Sequence, residues 1–203
     1  MHFVLASSSP RRRDLLREAG FEFKIARPPV AEIATDNLSG RELTVCNATR
    51  KALAVARSRR ADVVLGADTL VALDGKTIGK PSDLAEARRI LRRLSGRQHV
   101  VYSAVFICRL ANGEQEVFHE ISAVEFRHLD DCMIERYLEK IDPLDKAGAY
   151  AAQGEGAEII ARVDGSFTNV VGLPMERTIA ALRAFGVRPR RFQRTSTGSG
   201  RTG

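Results

Sequence analysis

Short apolar runs alternate with stretches of helical periodicity along this chain. Residues 3–6 are continuously apolar and predict a strand, and the Ser-Pro step at Ser9 and Pro10 predicts a helix that ends at Gly20. The Val-Val-Leu run at 63–65 is typical of a buried central strand. The same patterns predict further strands over 21–25, 71–73, 99–110, 117–126 and 159–163, and further helices over 39–58, 83–94, 130–139 and 175–185.

This alternation predicts an α/β fold with a mixed, twisted sheet and flanking helices. The hairpin turn at Asn112 and Gly113 makes an antiparallel pair, while helical crossovers join parallel strands. A length of 203 residues suits one compact domain, which we expect to span 1–187. Residues 188–203 are rich in Arg, Ser, Thr and Gly and poor in apolar residues, which predicts a disordered tail.

The positive charge of the chain is concentrated at one end. The formal net charge of +7 comes from 32 Lys and Arg against 25 Asp and Glu. Five of the arginines lie in 188–203 without any acid, which leaves +2 for 1–187. Because nucleic-acid binding draws on extended positive surfaces, a nearly neutral body argues against nucleic acid as a partner.

The remaining composition predicts a soluble, cytoplasmic protein with no membrane partner. No apolar run reaches the ~20 residues of a membrane span. The first residues place apolar side chains before basic ones, which is the reverse of a secretory signal. Cys46, Cys108 and Cys132 are too far apart to predict a disulfide framework or a zinc site.

Candidate chemistry begins where the first strand leads into the first helix. A helix N-terminus attracts anions, and Arg11 and Arg12 add charged, bidentate donors to the hydroxyls of 7–9. Cations at this end of a helix are unfavourable without an anion, which favours a phosphate site. An ordinary Ser-Pro helix start with solvated arginines is the alternative.

Three further charged residues are candidates for the same chemistry. Asp68 follows the apolar run 63–65, and a carboxylate at the end of a strand can hold a divalent cation or act as a base. Lys80 lies between a glycine and a proline, and Lys51 is one of six lysines in an arginine-rich chain. Both suit a fixed point charge beside a phosphate. A turn residue, for Asp68, and solvated side chains, for the lysines, are the alternatives.

Two other segments leave their function open. The Gly- and Ala-rich stretch 145–154 carries Gln153, whose amide can pair with a base edge, although a loop without a ligand has the same composition. The arginines of the predicted helix 83–94 could contact nucleic acid or form a solvated face. No Gly-x-x-x-x-Gly-Lys-Ser/Thr motif is present, which excludes a P-loop NTPase.

Taken in order, these segments resemble the Maf family of nucleoside triphosphate pyrophosphatases over residues 3 to about 187. The motifs that carry the resemblance are Leu5-Ala6-Ser7-Ser8-Ser9-Pro10-Arg11-Arg12, Glu32, Lys51-Ala52, Gly66-Ala67-Asp68-Thr69, Gly79-Lys80-Pro81, Leu94-Ser95-Gly96-Arg97, Asp145-Lys146-Ala147-Gly148-Ala149-Tyr150, Gln153-Gly154 and Val171-Gly172-Leu173-Pro174. The resemblance implies hydrolysis of a nucleoside triphosphate to the monophosphate and pyrophosphate. It also implies a divalent metal, Mg²⁺ or Mn²⁺, two lobes around a central cleft, and a homodimer. The form of the 145–154 loop is similar to the subgroup that acts on dTTP, UTP and modified pyrimidine nucleotides.

The resemblance also implies roles for individual residues. Asp68 matches the proton acceptor, and Glu32, Lys51 and Lys80 match the remaining catalytic polar set. The positions tied to substrate choice are Arg11, Thr69 and Gln153, and the phosphate-site argument adds Ser7 and Arg12 to the substrate-binding residues.

Asp68 and Glu32 are the expected metal ligands, and whether Asp68 acts as base, ligand or both stays open. A second hypothesis is a nucleic-acid-binding or cell-division regulatory protein that uses the Arg-rich helix and tail, because the family has been linked to control of cell division.

Overall fold

A seven-stranded mixed sheet organises the chain. The computed structural model describes residues 2–35 and 37–190. Its strands are β1 (Phe3–Ala6), β2 (Lys24–Ile25), β3 (Val63–Leu73), β4 (Lys76–Ile78), β5 (Gln98–Arg109), β6 (Glu114–Phe126) and β7 (Ile160–Asp164). Its helices are α1 (Pro10–Glu18), α2 (Gly40–Ala56), α3 (Leu84–Leu94), α4 (Asp131–Lys140), α5 (Gly156–Ile159), α6 (Phe167–Val171) and α7 (Met175–Ala184), with a 3₁₀ turn at Ala147–Ala149.

The strand order confirms the predicted α/β class with a mixed sheet. The strands follow the order β2-β1-β3-β5-β6-β7, and β4 pairs with β3 outside this path. β1 runs parallel to both β2 and β3, whereas the pairs from β3 to β7 are antiparallel. No helix in the described part of the chain is both long enough and apolar enough to cross a membrane. The predicted two-lobed arrangement stays a prediction.

Helices cover both faces of the sheet around β1, which explains why that strand is apolar throughout. Phe3 and Leu5 pack in a core with side chains of α1 and α7, while Val4 and Ala6 face α2 on the opposite side. A third core joins α3 and α4 to the far ends of β3 and β5. Since the helices on both sides are fixed by buried apolar contacts, the connections between them have defined positions.

The backbone of α2 lies directly against β3. A Cβ on Gly66 would lie 2.4 Å from the carbonyl oxygen of Ala48 and 2.7 Å from the nitrogen of Ala52. Any larger residue would force the helix away, so only glycine allows this approach. The helix begins at a capping box in which Ser39 and Glu42 each accept a hydrogen bond from the other's backbone N–H.

The predicted strand at 63–65 is much longer than the sequence indicated. β3 continues without a break to Leu73, so Asp68 lies inside a strand rather than after one, and 71–73 is not a separate strand. The reason is the antiparallel partner β5, which pairs with β3 from Val64 to Ala72. On the other side β1 ends opposite Gly66, which leaves that edge of β3 open beside Asp68.

Other boundaries also differ from the predictions. The strand predicted over 21–25 is reduced to Lys24–Ile25, because Phe21 turns into the core after Gly20, whose φ is +80°. α6 was not predicted, since five residues give too little periodicity. Most of the predicted tail lies outside the described residues, but Arg190 donates a backbone hydrogen bond to Gly20 at 2.9 Å.

Candidate active site

A cleft of about 410 Å³ opens where β1 ends and β3 loses its neighbour. The β1–α1 connection (7–12) and the loop between β2 and α2 form two of its walls, the latter with residues 27–32. The open part of β3 and the segment 145–152 complete the enclosure, together with Lys80 and residues 170–172. Strand ends, loops and one helix N-terminus therefore meet at a single concave site, which is a usual place for a ligand in an α/β fold.

Lys51 joins two carboxylates in this cleft. Its Nζ lies 2.6 Å from Oδ1 of Asp68 and 2.5 Å from Oε1 of Glu32. Lys51 and Asp68 are buried, whereas half of the Glu32 side chain is exposed. Burial alone would raise the pKa of Glu32, but the hydrogen bond and charge of Lys51, with the charges of Lys80 and Arg12, outweigh it and lower that pKa below its ordinary value. The ammonium group of Lys51 therefore holds both carboxylates close together.

Asn47 lies one turn before Lys51 on α2. It bonds directly to Asp68 and to the backbone of the residue after Glu32. Its side-chain nitrogen donates to Oδ2 of Asp68 at 3.2 Å and to the carbonyl of Ile33 at 3.0 Å, and its Oδ1 accepts from the N–H of Ile33 at 2.8 Å. Ile33 follows Glu32 in a loop without regular secondary structure. The amide therefore sets the position of that loop and of the Asp68 carboxylate together.

Arg12 is buried at the start of α1 and has no direct anionic partner among the described contacts. Its guanidinium donates to the carbonyl of Gly172 at 2.8 Å and to the hydroxyls of Thr69 at 2.9 Å and Ser7 at 3.3 Å. Burial lowers the pKa of Arg12, and the charges of Asp68 and Glu32 oppose that shift. A buried cation that contacts only neutral oxygens makes the adjacent space favourable for an anion.

A chain of hydroxyl and amide groups extends this cluster into the sheet. The hydroxyl of Thr69 lies 2.8 Å from that of Ser103, which donates to the carbonyl of Asn169 at 3.1 Å. The Asn169 side chain donates to the Ser122 hydroxyl at 2.9 Å and to the carbonyl of Val101 at 3.2 Å. These bonds hold Thr69, which faces the cleft, in one orientation.

The opposite wall carries more charge and one aromatic ring. Arg11 lies 3.1 Å from Asp145, which also contacts Lys146. Burial alone would raise the pKa of Asp145, but these two cations outweigh it and lower the pKa. Tyr150 borders the cleft but is buried, with its ring packed against His99 and Phe126, and its hydroxyl lies 2.9 Å from Nε2 of the buried His99. Burial lowers the pKa of His99 to about 4, so the imidazole is neutral at pH 7.

The structure brings together nearly all of the residues that the sequence singled out. Those that line the cleft are Ser7, Arg11, Arg12, Glu32, Lys51, Asp68, Thr69 and Lys80. Gln153 is exposed, one residue beyond the lining residue Ala152, and in the described part of the chain it does not line the cleft.

Asn47, Ser103 and the cleft-lining Arg27 are among the residues that the sequence analysis missed. Asn47 had a detectable signal, since an amide lies on the mostly apolar buried face of the helix, one turn before Lys51. Ser103 had none, because a serine inside a strand has no distinctive sequence context.

The cleft offers only part of a metal coordination sphere. Within 2–35 and 37–190, no group of three or more His, Cys, Asp or Glu side chains is placed to hold a metal ion. Two carboxylates beside an anion site still suit Mg²⁺, which commonly takes one or two carboxylates and completes its coordination with phosphate oxygens and water. Asp68 and Glu32 therefore fit a cation that shares its ligands with a bound phosphate.

Two arginines of the Arg-rich helix α3 form ion pairs with acids of a neighbouring helix. Arg88 contacts Glu135 at 2.5 Å and Arg92 contacts Asp131 at 2.7 Å, both on α4. These ion pairs use part of the positive charge that the second hypothesis assigned to nucleic acid.

Comparisons with known proteins agree with the geometry of the site. The sequence model of the Maf-like protein family matches residues 2–185. The dTTP/UTP pyrophosphatase of Symbiobacterium thermophilum is 48% identical over 183 residues, which cover 90% of this chain and 93% of the relative. The dTTP/UTP pyrophosphatase of Pelotomaculum thermopropionicum is 45% identical over 183 residues, covering 90% and 96%. That of Bacillus pumilus is 42% identical over 186 residues, covering 92% and 97%.

Proposed function

This chain belongs to the Maf-like protein family, and on that premise we propose that it hydrolyses dTTP and UTP to the nucleoside monophosphate and pyrophosphate. The observation that carries the proposal is the pair of acids on Lys51, at the open edge of β3, facing a wall of cations. A triphosphate fits this arrangement because its charge meets Arg11, Arg12 and Lys80 while its α-phosphorus lies near Asp68.

Asp68 is the proposed proton acceptor. A water molecule attacks the α-phosphorus, its proton passes to a carboxylate oxygen of Asp68, and the bond from the α-phosphorus to the bridging oxygen breaks. Pyrophosphate leaves with the bonding electrons, and Lys80 and Arg11 stabilise its charge. Before the substrate binds, Lys51 and Asn47 hold the carboxylate in place, and further lone pairs of it stay free beyond the two that they occupy.

A divalent cation, Mg²⁺ or Mn²⁺, is the proposed cofactor. Asp68 and Glu32 would hold it together with phosphate oxygens, and it supplies Lewis-acid polarisation of the phosphoryl group when bound. We expect a chelator such as EDTA to stop hydrolysis and added Mg²⁺ or Mn²⁺ to restore it.

The segment 145–152 is proposed to face the nucleoside, which is the part of dTTP and UTP that would distinguish them from other triphosphates. Tyr150 is buried against His99 and Phe126, so its role would be to position this segment. Base recognition by Gln153 requires its exposed side chain to turn toward the neighbouring cleft. That the protein forms a homodimer is also a proposal, and the molar mass measured by light scattering tests it. The cytoplasmic location stays a proposal as well.

The decisive experiment is a panel of nucleoside triphosphates under Mg²⁺, Mn²⁺ and Co²⁺, with pyrophosphate release as the readout. We expect dTTP and UTP to be the best substrates and Asp68→Asn to abolish turnover with an unchanged circular dichroism spectrum. Asp74→Asn is the matched control. Asp74 directly follows β3 and contacts Arg97 at the surface, so this variant should stay active. An absence of hydrolysis for every member, or a fully active Asp68→Asn, contradicts the proposal.

Deletion of 188–203 separates this function from the second hypothesis. Hydrolysis should survive the deletion, because the described residues that line the cleft all precede the tail. A salt-dependent DNA affinity that disappears with the tail would instead support the nucleic-acid hypothesis.

A further inference from the structure

The ammonium of Lys51 lies among the oxygens that a divalent cation would use. Its Nζ contacts one oxygen of Asp68 and one of Glu32 at 2.6 and 2.5 Å, and it also lies 3.5 Å from the carbonyl of Ala67. The Lys51 side chain is only 9% exposed and Asp68 is buried too, so solvent screens the contact between these two groups little. In the protein without ligands, Lys51 therefore already compensates one of the two negative charges and occupies one oxygen of each acid.

The charge of the surrounding cleft also disfavours the binding of a free divalent cation. Among the described residues, six cationic side chains line the cleft against three acidic ones, so this lining carries a net positive charge without a ligand. The cations are Arg11, Arg12, Arg27, Lys51, Lys80 and Lys146, and the acids are Glu32, Asp68 and Asp145. The described residues also place no third His, Cys or acid beside the pair to complete a coordination sphere.

A bound triphosphate changes both conditions. It brings several negative charges into a cleft that is positive without it, and it supplies the oxygen ligands that the protein lacks. Its phosphates also give the Lys51 ammonium an alternative partner, which frees oxygens of Asp68 and Glu32.

We propose that Lys51 makes metal binding depend on the nucleotide: the divalent cation enters with or after the triphosphate, and Lys51 blocks its binding to the nucleotide-free protein. This inference rests on the proposed function and names an order of binding within it. Coupling between two ligands is reciprocal, so the cation must raise the affinity for the nucleotide by the same factor.

The test measures Mn²⁺ binding directly by electron paramagnetic resonance of free Mn²⁺, on the full chain without nucleotide. We expect weak binding to the unmodified protein and binding about tenfold or more tighter in Lys51→Met. Lys80→Met is the matched control, because it removes one charge from the same cleft without a contact to either acid, and its effect should be clearly smaller. Equal effects of the two substitutions, or tight Mn²⁺ binding to the unmodified protein, overturn the inference.

A second measurement covers the case in which Lys51→Met does not fold, since it leaves buried Asp68 without its ammonium. The affinity of the unmodified protein for the α,β-imido analogue of dTTP, which resists cleavage, is measured by calorimetry with and without Mn²⁺. A difference of about tenfold or more supports the coupling, and equal affinities overturn it. Hydrolysis of dTTP by the same preparation is measured separately, so an active enzyme without coupling refutes only the inference, whereas an inactive one refutes the proposed function.

Discussion

Gly66→Ala is expected to displace α2 from β3 and so separate the catalytic groups that these two elements carry. The new Cβ would lie 2.4 Å from the carbonyl oxygen of Ala48, whereas ordinary contacts begin at 3.4 Å. The helix must therefore move by about 1 Å. Lys51 and Asn47 move with it, and Asp68 stays on the strand.

The size of the effect follows from the kind of atoms that collide. Overpacking costs ~1–3 kcal/mol, and we expect about 3 kcal/mol here because the crowded atoms include backbone of a packed helix. For a domain of this size that lowers the melting temperature by roughly 6–12 °C. A misplacement of ~1 Å in an active site can cost ~100-fold in rate, so kcat should fall by about that factor.

Thermal unfolding by circular dichroism and pyrophosphate release from dTTP measure the two effects. Activity is assayed well below the lower melting temperature. Gly79→Ala is the control for stability, since a Cβ there meets nothing within 4 Å and its φ is not positive, so its melting temperature should stay the same or rise slightly. If Gly66→Ala melted within the range of this control and kept its kcat, the close approach of α2 would not set the active-site geometry.

Two further substitutions test the polar groups behind the cleft. The pKa of His99 is lowered from 6.5 to about 4 in the folded protein. As the pH falls, the imidazole is therefore protonated in the unfolded chain before it is protonated in the folded protein. The stability that neutral His99 contributes is lost as pH falls from about 6.5 to about 4. The urea midpoint of His99→Phe should therefore depend less on pH in that window, and lie lower at pH 7 because the Tyr150 hydroxyl loses its partner; parallel pH profiles would contradict this. Ser103→Ala should lower the free energy of unfolding by ~1–3 kcal/mol, because Thr69 and the carbonyl of Asn169 each lose a partner. Ser103→Thr keeps the hydroxyl but adds a methyl group to a buried position, so it should lose less stability than Ser103→Ala, and equal midpoints for the two variants would refute the role of that hydroxyl.

Local chemistry made much of the fold predictable. The Ser-Pro start of α1 and the capping box of α2 are signals within a few residues, and the α/β class follows from alternating strands and helices. The length of β3 was not predictable, because strand β5 extends it through Asp68 from more than thirty residues away in the chain. Tertiary pairing decided that boundary, and the sequence around Asp68 favours a turn just as well.

In the candidate site, too, some features have local sequence signals and others depend on tertiary contacts. Charged residues such as Lys51 and Lys80 stand out in the sequence because their type and neighbours are unusual. The contact that joins Lys51 to Glu32 cannot be read from the chain, since Glu32 lies in a loop without periodicity. Neutral groups such as Asn47 matter through their partners, which appear only once α2 lies against β3.

The anchoring of Ile33 by the Asn47 amide has a consequence for how this protein can change. Both backbone hydrogen-bonding groups of Ile33 are satisfied by one side chain, as a neighbouring strand would satisfy them. Glu32 therefore gains the positional accuracy of a sheet residue while its loop lies outside the sheet. The segments of that loop before and after this anchor can accept insertions that reshape the rim of the cleft, and the acid keeps its place. New substrate preferences could thus arise by grafting loop sequence without rebuilding the catalytic groups.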